Sequence, residues 1–291
     1  MSQTLQSFFD TIYRPLRLTQ ASAGCLKQYR LNIAKVNAAL DRAALLSDLS
    51  DDLLARVCGS MIADGRSPAT ANKVRAQLVA LWTFAAKRGL VATYPTIGKY
   101  REFKREPIAW TKDQLRTLFT ACSRQSGMIG EVPASLWWLA LLSLLWDTGL
   151  RIGAVLKMQW HQVDFERGFV LVLAEQQKDH EDQWFRLHAH TLMLLRRMRR
   201  KEGCVFHWPK SHGRLYLAYG AILRQAGLPS TRRDKFHKIR RSVASWFEAA
   251  GGNATELLGH SCRQVTRVYL DGTITGRTHA ADLLFRPDGA A

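Results

Sequence analysis

The apolar segment Ala134–Trp146 (ASLWWLALLSLLW) constrains the fold of this chain more than any other stretch. It places Trp or Leu on every face of a helix, which is typical of a helix enclosed on all sides by other elements. The segment is too short to span a bilayer, which takes about 20 residues. The chain has 291 residues, of which 47% are apolar, so it can build a core around such a helix in one or two domains.

The charge of the chain indicates a polyanionic partner. Lys and Arg number 42 against 24 Asp and Glu, which gives a net charge of +18. Residues 1–105 hold 16 basic against 7 acidic side chains, and residues 106–291 hold 26 against 17, so each part carries +9. A merely solvated basic surface is the alternative. The even spread favours two regions that face one polyanion, with nucleic acid first and an anionic membrane surface second.

Several classes of protein are excluded by what the sequence lacks. No pair of cysteines has C-x-x-C spacing and their number, 5, is odd, so we expect free thiols in a reducing cytosol. Neither GxxxxGK[ST] nor GxGxxG occurs, and His188 and His190 lack a third ligand at usable spacing. We therefore expect no cofactor and no metal site. The N-terminus has no signal-peptide pattern, and we expect no membrane association.

Residues 1–98 are predicted to form an all-helical domain of four or five helices. Ser67 and Pro68 suit the N-cap and first position of a helix, and apolar residues then recur at helical spacing up to Gly89. Lys73 and Arg75 fall off this apolar stripe. Contact with DNA phosphate and simple solvation are equally open for these two side chains.

Residues 99–107 (KYREFKREP) are predicted to be a basic linker between two domains, because they are dense in charge and have no apolar period. Such a linker can lie along a phosphate backbone. Its candidate DNA contacts are Lys99, Arg101, Lys104 and Arg105.

Residues 108–291 are predicted to form a second, mainly helical domain with a small antiparallel β-sheet, an α+β fold. Thr111 and Gln114 form a capping box, and Gly149 ends the apolar helix. The sheet is predicted from alternating runs at 169–173 and 183–187 around a polar turn. Further helices are predicted at 190–200, near 216–226 and at 238–250.

Six residues in this domain form an ordered set. Each one taken alone is typical of an ordinary structural or surface residue, but such roles do not explain the set. An arginine follows the glycine that ends the apolar helix, and a lysine occupies the hairpin turn. A His-x-x-Arg pair then shares one face of a helix, and a Gly-His precedes a tyrosine by nine residues. The six residues are Arg151, Lys178, His237, Arg240, His260 and Tyr269.

The strings around these residues resemble the catalytic domain of the tyrosine recombinase (phage integrase) family. They are TGLRIGAVLKMQW, the turn lysine, HKIRRSVASWF and LLGHSCRQVTRVYLD. The resemblance covers about residues 110–285. By pattern alone, residues 5–98 resemble the helical, SAM-like core-binding domain of that family.

The resemblance implies a site-specific recombinase that cleaves and rejoins DNA without metal or ATP. Two arginine forks can neutralise charge on the phosphate. A free tyrosine has a pKa of about 10, so its attack needs a proton acceptor. The implied roles are phosphate binding for Arg151, Arg240 and His260, base or phosphate contact for His237, leaving-group protonation for Lys178 and nucleophilic attack for Tyr269.

The resemblance also implies partners and a setting. The implied substrates are recombination sites in duplex DNA, and the implied assembly is a tetramer that holds two such sites. The implied reaction is integration, excision or resolution of phage or other mobile DNA, in the cytoplasm at the nucleoid. Accessory DNA-bending proteins are a further candidate. The segment Thr278–Phe285 either packs on its own domain or docks on a neighbouring protomer. We expect a simple two-domain recombinase, since no further domain precedes the helical one.

Two positions depart from the family pattern. Ala154 stands where a carboxylate commonly supports the first arginine, and Asp147 or Asp164 could replace that carboxylate. Arg241 stands where a histidine is usual, and it is a further candidate DNA contact. Two alternatives therefore remain open: a sequence-specific DNA-binding protein that has lost catalysis, and strand relaxation like that of a type IB topoisomerase.

Overall fold

The computed structural model describes residues 3–103, 105–177 and 181–276. The chain divides into two compact units, Met1–Lys104 and Arg105–Ala291, and each has its own hydrophobic core. The point of division falls within the stretch that the sequence predicts to be a linker. The fold class is as predicted, mainly helical with small antiparallel sheets.

The first unit is helical, as its apolar periodicity predicts. Ser67 caps the last of its long helices by accepting a hydrogen bond from the Thr70 amide, and Pro68 opens that helix. Aromatic rings of Phe9 and Tyr29 stack in the core, with ring centroids 5.3 Å apart. The α-helices are α1 (Leu5–Phe8), α2 (Arg14–Arg17), α3 (Ala23–Leu40), α4 (Asp51–Ala63) and α5 (Pro68–Lys87), with a π-helical turn at Phe9–Tyr13 and a 3-10 turn at Leu46–Asp48.

The segment that follows α5 is tied back onto that helix. The Asn72 side chain accepts a hydrogen bond from the Tyr100 amide and donates one to the Tyr100 carbonyl. Arg75 donates to the carbonyl of Ile97 through Nε and Nη2. Side chains on α5 therefore fix the path of the chain as far as the start of the basic stretch.

The second unit surrounds α7 (Ala134–Thr148), which is buried along most of its length as predicted. A capping box of Thr111 and Gln114 opens the preceding helix. The other helices of this unit are α6 (Lys112–Ser123), α8 (Ile152–Val155), α9 (Ala189–Arg197), α10 (His212–Gln225), α11 (Phe236–Ala249), α12 (Ala254–Leu257) and α13 (Arg263–Thr266). Among the described residues, no helix combines the length and apolarity needed to cross a membrane.

The sheets are small and antiparallel. The predicted hairpin corresponds to β4 (Phe169–Val172) and β5 (Gln183–Arg186), with Val170 opposite Phe185. The sequence patterns missed β3 (Val163–Asp164), which pairs with β4, and the short pair β1 (Met128–Ile129) and β2 (Val132–Pro133). Strands of two residues are too short to show an alternating pattern.

Aromatic packing sets the position of α11 against α7. Trp138 of α7 lies parallel to Phe236, with ring centroids 6.5 Å apart. Tyr219 of α10 stacks on the same Phe236 ring at 4.2 Å. Such stacked pairs contribute about 0.5–1.5 kcal/mol beyond the area they bury. Phe236 directly precedes His237, so the core fixes where the candidate catalytic helix begins.

A buried ion pair strengthens the same region. Lys238 Nζ lies 3.1 Å from Asp234 Oδ1, and the two side chains are only 7% and 10% exposed. The ammonium also sits over the Trp110 ring, 3.5 Å from its centroid. Removing one partner of a buried pair leaves the other charge uncompensated, which is more destabilising than losing the attraction itself.

We predict that Asp234→Ala lowers the free energy of unfolding of the second unit by about 3–5 kcal/mol. Urea unfolding followed by tryptophan fluorescence measures this, because eight of the nine tryptophans lie after residue 105. Asp113→Ala is the control, since Asp113 pairs with Arg116 at 2.8 Å but both side chains are exposed. Its effect should stay below about 1 kcal/mol. Equal effects of the two substitutions would contradict the prediction.

Candidate active site

Helix α11 carries two of the six candidate residues near its start. Thr231 and Asp234 form a capping box just before it, in which Asp234 accepts hydrogen bonds from the Thr231 amide and hydroxyl. His237 and Arg240 then lie three residues apart, on one face of the helix. His237 is exposed at the surface, whereas Arg240 is only 3% exposed.

Arg240 connects three segments of the unit. Its Nη1 donates to the Gly149 carbonyl at 2.7 Å, and its Nη2 donates to the Leu258 carbonyl at 2.9 Å. Its Nη2 also lies 3.3 Å from His260 Nε2. A guanidinium keeps its charge at any pH a protein tolerates, so a buried one must be surrounded by acceptors.

Gly149 suits this arrangement in two ways. It has φ +63°, a left-handed conformation that closes α7 and that side chains other than glycine rarely adopt. A Cβ at this position would also lie only 3.2 Å from Val243 and from Leu258. The glycine therefore lets the end of α7 approach α11 closely enough for its carbonyl to reach Arg240.

His260 and Tyr269 join Arg240 in one cluster. His260 follows the short helix α12, and its Nδ1 lies 3.0 Å from Thr266 Oγ1. Because an arginine can only donate, His260 Nε2 accepts from Arg240, and the ring proton resides on Nδ1 and points to Thr266. Tyr269 ends the 3-10 turn Arg267–Tyr269.

The Tyr269 ring lies among three of the other candidates. Its centroid is 5.1 Å from that of His237 and 5.0 Å from that of His260. The guanidinium carbon of Arg240 lies 5.5 Å from the same ring centroid. His237 and Arg240 lie on α11, whereas His260 and Tyr269 belong to the segment that follows it, and the fold brings all four together.

Desolvation and nearby positive charge keep the His237 imidazole neutral in the DNA-free protein. Partial desolvation, followed by the positive charges of Arg241, Arg240 and Arg151, lowers the pKa of His237 from 6.5 to about 4. All of these causes disfavour the imidazolium. The imidazole is therefore neutral at pH 7, with one ring nitrogen free of a proton, but it is a weak base as long as these charges act on it.

Arg151 is the half-buried N-cap residue of α8. Its charge acts on His237, which places the two in one electrostatic environment. Ala154, at the position where the family pattern has a carboxylate, is 4% exposed and packs in the core. Of the two suggested replacements, Asp147 accepts from the amide of His188, the N-cap residue of α9, 41 residues away. Asp164 accepts from the amides of Glu166 and Arg167 in the turn that follows it.

Three predicted features lie outside the described residues: Lys178, Lys104 and the segment Thr278–Phe285. Of the candidate DNA contacts, Arg75 is bonded to the Ile97 carbonyl. Arg241 donates to the Arg233 carbonyl and belongs to the cluster through its charge on His237. The remaining candidates are exposed; they are Lys73, Lys99, Arg101 and Arg105.

Sequence patterns missed the groups that hold the candidates in place. The acceptors for Arg240 are main-chain carbonyls, which every residue type supplies. Thr266 and Ser245 are small hydroxyl residues with no distinguishing spacing. Ser245 Oγ lies 3.2 Å from the Tyr269 carbonyl and accepts from the Asp271 amide at 2.9 Å. His188, for which the sequence predicts a surface position and no metal, is exposed and caps α9 through Nδ1.

Comparison with known families agrees with this cluster. A sequence model of the phage integrase family matches residues 109–274, which include the whole cluster. The chain belongs to the phage integrase family. This confirms the family resemblance on which the six candidate residues were chosen.

Individual relatives share less than 30% sequence identity with this chain. A putative integrase/recombinase of Sinorhizobium fredii is 28% identical over 64% of this chain and 66% of its own length. The tyrosine recombinase XerC of Xanthomonas axonopodis pv. citri is 29% identical over 48% of each chain. The matches thus span 48–66% of the length of these relatives.

Solved structures share the fold. One chain of a lambda integrase tetramer bound to a Holliday junction superposes on this chain with a TM-score of 0.72, at 22% sequence identity. The match covers 96% of this chain and 80% of that one. It supports the predicted combination of a helical first unit and a mixed second unit.

We predict that the His237 imidazole titrates near pH 4 in the DNA-free protein. The folded pKa lies below the unfolded value of 6.5, so stability from this group is complete above pH 6.5 and is lost as the pH falls towards 4. Among the arginines, Arg241 has the largest effect on the pKa of His237, so Arg241→Gln should raise that pKa. Arg263→Gln is the control, because Arg263 pairs with Glu248 and is not among the causes of the shift.

NMR titration of the histidine Cε1 protons measures these values, with the His237 signal assigned by its loss in His237→Gln. A wild-type midpoint near 6.5, or a midpoint that Arg241→Gln leaves in place, would show that the arginines do not control this group.

Proposed function

We propose that this protein is a site-specific DNA recombinase that cleaves and rejoins strands through a 3′-phosphotyrosyl intermediate on Tyr269. One observation carries the proposal. The Tyr269 ring lies 5.0–5.5 Å from two histidine rings and a buried guanidinium, all in one chain. Family membership and the net charge of +18 support the same substrate, duplex DNA.

In the proposed reaction, the scissile phosphate binds between Arg151 and Arg240. Their charges stabilise the additional negative charge that develops on the non-bridging oxygens as phosphorus becomes five-coordinate. A phosphate oxygen would replace His260 Nε2 as the acceptor of Arg240 Nη2. The Thr266 hydroxyl can donate to His260 Nδ1 as readily as it accepts, so the ring proton can move to Nε2 and His260 can donate to the same phosphate.

The chemical step exchanges one ester for another. Tyr269 Oη attacks phosphorus, the bond from phosphorus to the 5′-oxygen breaks, and the DNA 3′ end becomes linked to the tyrosine. The bound phosphate offsets the arginine charges that lower the pKa of His237, and the neutral imidazole then accepts the phenol proton. Lys178 is proposed to protonate the leaving 5′-oxygen. A 5′-hydroxyl from another strand then attacks the phosphotyrosine and restores the free tyrosine.

This chemistry needs no ATP, because the phosphotyrosyl bond retains the energy of the broken phosphodiester. It also needs no metal ion in our proposal, since the arginines supply the positive charge that a metal would otherwise provide. Arg151 and Arg240 are the two that act on the phosphate, and Arg241 adds to the charge around His237.

We further propose that the two units bind one duplex and that four protomers act on two DNA sites. A lambda integrase tetramer bound to a Holliday junction shares this fold. Phosphate contacts would come from both units, in line with the +9 on each side of residue 105. The proposed contacts are Lys73, Arg75, Lys99, Arg101, Lys104, Arg105 and Arg241. Action on integrated or excised DNA would place the protein in the cytoplasm, at the nucleoid.

The test begins by finding a site. Tyr269→Phe keeps the ring but lacks the nucleophile, so it can select bound duplexes from a randomised DNA library without cleaving them. A suicide duplex, nicked near the selected centre, then traps the covalent state because the short cleaved strand diffuses away. Wild-type protein should form an SDS-resistant adduct with it, and Tyr269→Phe should bind equally well but form none.

An absence of adduct with wild-type protein on the selected duplex would overturn the proposal, as would an adduct with Tyr269→Phe. Strand exchange separates the recombinase from a topoisomerase-like enzyme. A recombinase should join strands from two labelled duplexes, whereas a relaxing enzyme rejoins each strand to its original partner.

A further inference from the structure

Asp271 makes contacts that the proposed chemistry does not use. It lies two residues after Tyr269 and is only 7% exposed. Its Oδ2 accepts a hydrogen bond from the Ala109 amide at 2.8 Å, across 162 residues of sequence. Its Oδ1 accepts from the Thr273 amide at 3.0 Å and from the Thr273 hydroxyl at 2.6 Å. The two oxygens thus have separate partners, one distant and one local.

The distant partner is itself fixed to the catalytic helix. The amide of Trp110 donates to Ser242 Oγ at 2.7 Å, and its carbonyl accepts from Trp246 Nε1 at 3.0 Å. The Trp110 ring is fully buried and lies against Lys238. Ser242, Trp246 and Lys238 all belong to α11, so the Ala109–Trp110 segment is a fixed support along that helix.

The backbone next to Tyr269 has a second attachment to the same helix. The Asp271 amide donates to Ser245 Oγ at 2.9 Å, and the same hydroxyl lies 3.2 Å from the Tyr269 carbonyl. The segment from Tyr269 to Asp271 is therefore held to α11 directly through Ser245 and indirectly through Ala109. His237 and Arg240 lie on this helix as well.

Burial opposes ionisation of Asp271, but the hydrogen bonds from Thr273 and Ala109 and the charge of Lys238 outweigh it and lower its pKa. The carboxylate is therefore ionised at neutral pH. Hydrogen bonds to an ionised acceptor are roughly twice as strong as neutral ones. The link to Ala109 accordingly resists displacement better than an ordinary turn contact would.

We propose that Asp271 is a positioning residue for the nucleophile. By holding its segment against Ala109, it keeps the Tyr269 ring in register with Arg240 and His260. The proposal rests on the proposed function, because it concerns the attack by Tyr269. A displacement of about 1 Å in a reacting group can slow a reaction about a hundredfold. Loss of this one contact should therefore change the rate of attack far more than the affinity for DNA.

Three variants separate positioning from simple stabilisation. Asp271→Ala removes both acceptors, and Asp271→Asn keeps one oxygen that can still accept from the Ala109 amide. Thr273→Val is the matched control, since it removes only the local hydroxyl bond to Oδ1. Each variant is compared with wild type in single-turnover adduct formation on the selected suicide duplex, in gel-shift affinity for that duplex, and in thermal unfolding.

We expect Asp271→Ala to lower the rate constant of adduct formation between about ten- and a hundredfold, with the final amplitude retained and Kd within about twofold of wild type. The rate constant of Asp271→Asn should recover at least about half of that loss on a logarithmic scale. The rate constant of Thr273→Val should stay within about threefold of the wild-type value. A purely stabilising role would instead lower the amplitude, which follows the folded fraction, and leave the rate constant unchanged.

A second substrate locates the defect. Replacing the scissile 5′-oxygen by sulfur gives a leaving group that departs without protonation. The slow attack of Asp271→Ala should persist on this substrate, because the nucleophile is still displaced. Full recovery of the rate would assign Asp271 to the leaving-group side and overturn the proposal.

The remaining outcomes are also decisive. The proposal falls if wild type forms the adduct and Asp271→Ala forms it at the same rate constant, or if Asp271→Asn is as slow as Asp271→Ala. It falls as well if Kd weakens by the same factor as the rate. A wild type that forms no adduct overturns the proposed function itself, and this inference with it.

Discussion

The burial of the Arg240 guanidinium is the constraint on which the rest of the site depends. A charge that cannot be titrated away and is 3% exposed needs acceptors on several sides. It receives them from the Gly149 carbonyl, the Leu258 carbonyl and His260. Gly149 ends α7, and Leu258 and His260 follow α12. The hydrogen bonds of this one side chain therefore join α11 to two other segments of the unit. Gly149 has a positive φ that other residues rarely adopt, and a Cβ there would lie only 3.2 Å from side chains of two of those segments.

The same cluster gathers positive charge around His237. Arg241, Arg240 and Arg151 all act on His237 and lower its pKa. Asp234 and Asp271 lie near Arg241 and offset part of that charge. In the proposed complex, the phosphodiester brings negative charge next to these arginines, so the repulsion among them is reduced when DNA binds. Arg241, which replaces the usual histidine, makes this site more strongly cationic than the family pattern implies.

Local chemistry explains why much of the fold could be predicted from the sequence. Few residue types can start or end a helix, because the backbone groups at its ends lack partners within the helix. The sequence has suitable residues at three such ends: Ser67 with Pro68, the capping box at Thr111, and Gly149. The two-residue strands and the four-residue helices α12 and α13 escaped prediction because each spans only about one period of its pattern, so no residue spacing recurs within it. The candidate residues were found by motif, but their supports were not. Arg240 binds main-chain carbonyls, and Asp271 reaches an amide 162 residues away, which no local pattern reveals.

The central claim is that Tyr269 becomes the covalent link to DNA, and peptide mapping of the trapped complex tests it most directly. The adduct on the selected suicide duplex would be digested with protease and nuclease, and the peptide that carries a nucleotide would be sequenced by mass spectrometry. The account predicts a single modified peptide, with the 3′-phosphoryl end of the DNA on Tyr269 and a free 5′-hydroxyl on the departed strand. A nucleotide on any other residue, or a link through a 5′-phosphate, would contradict it.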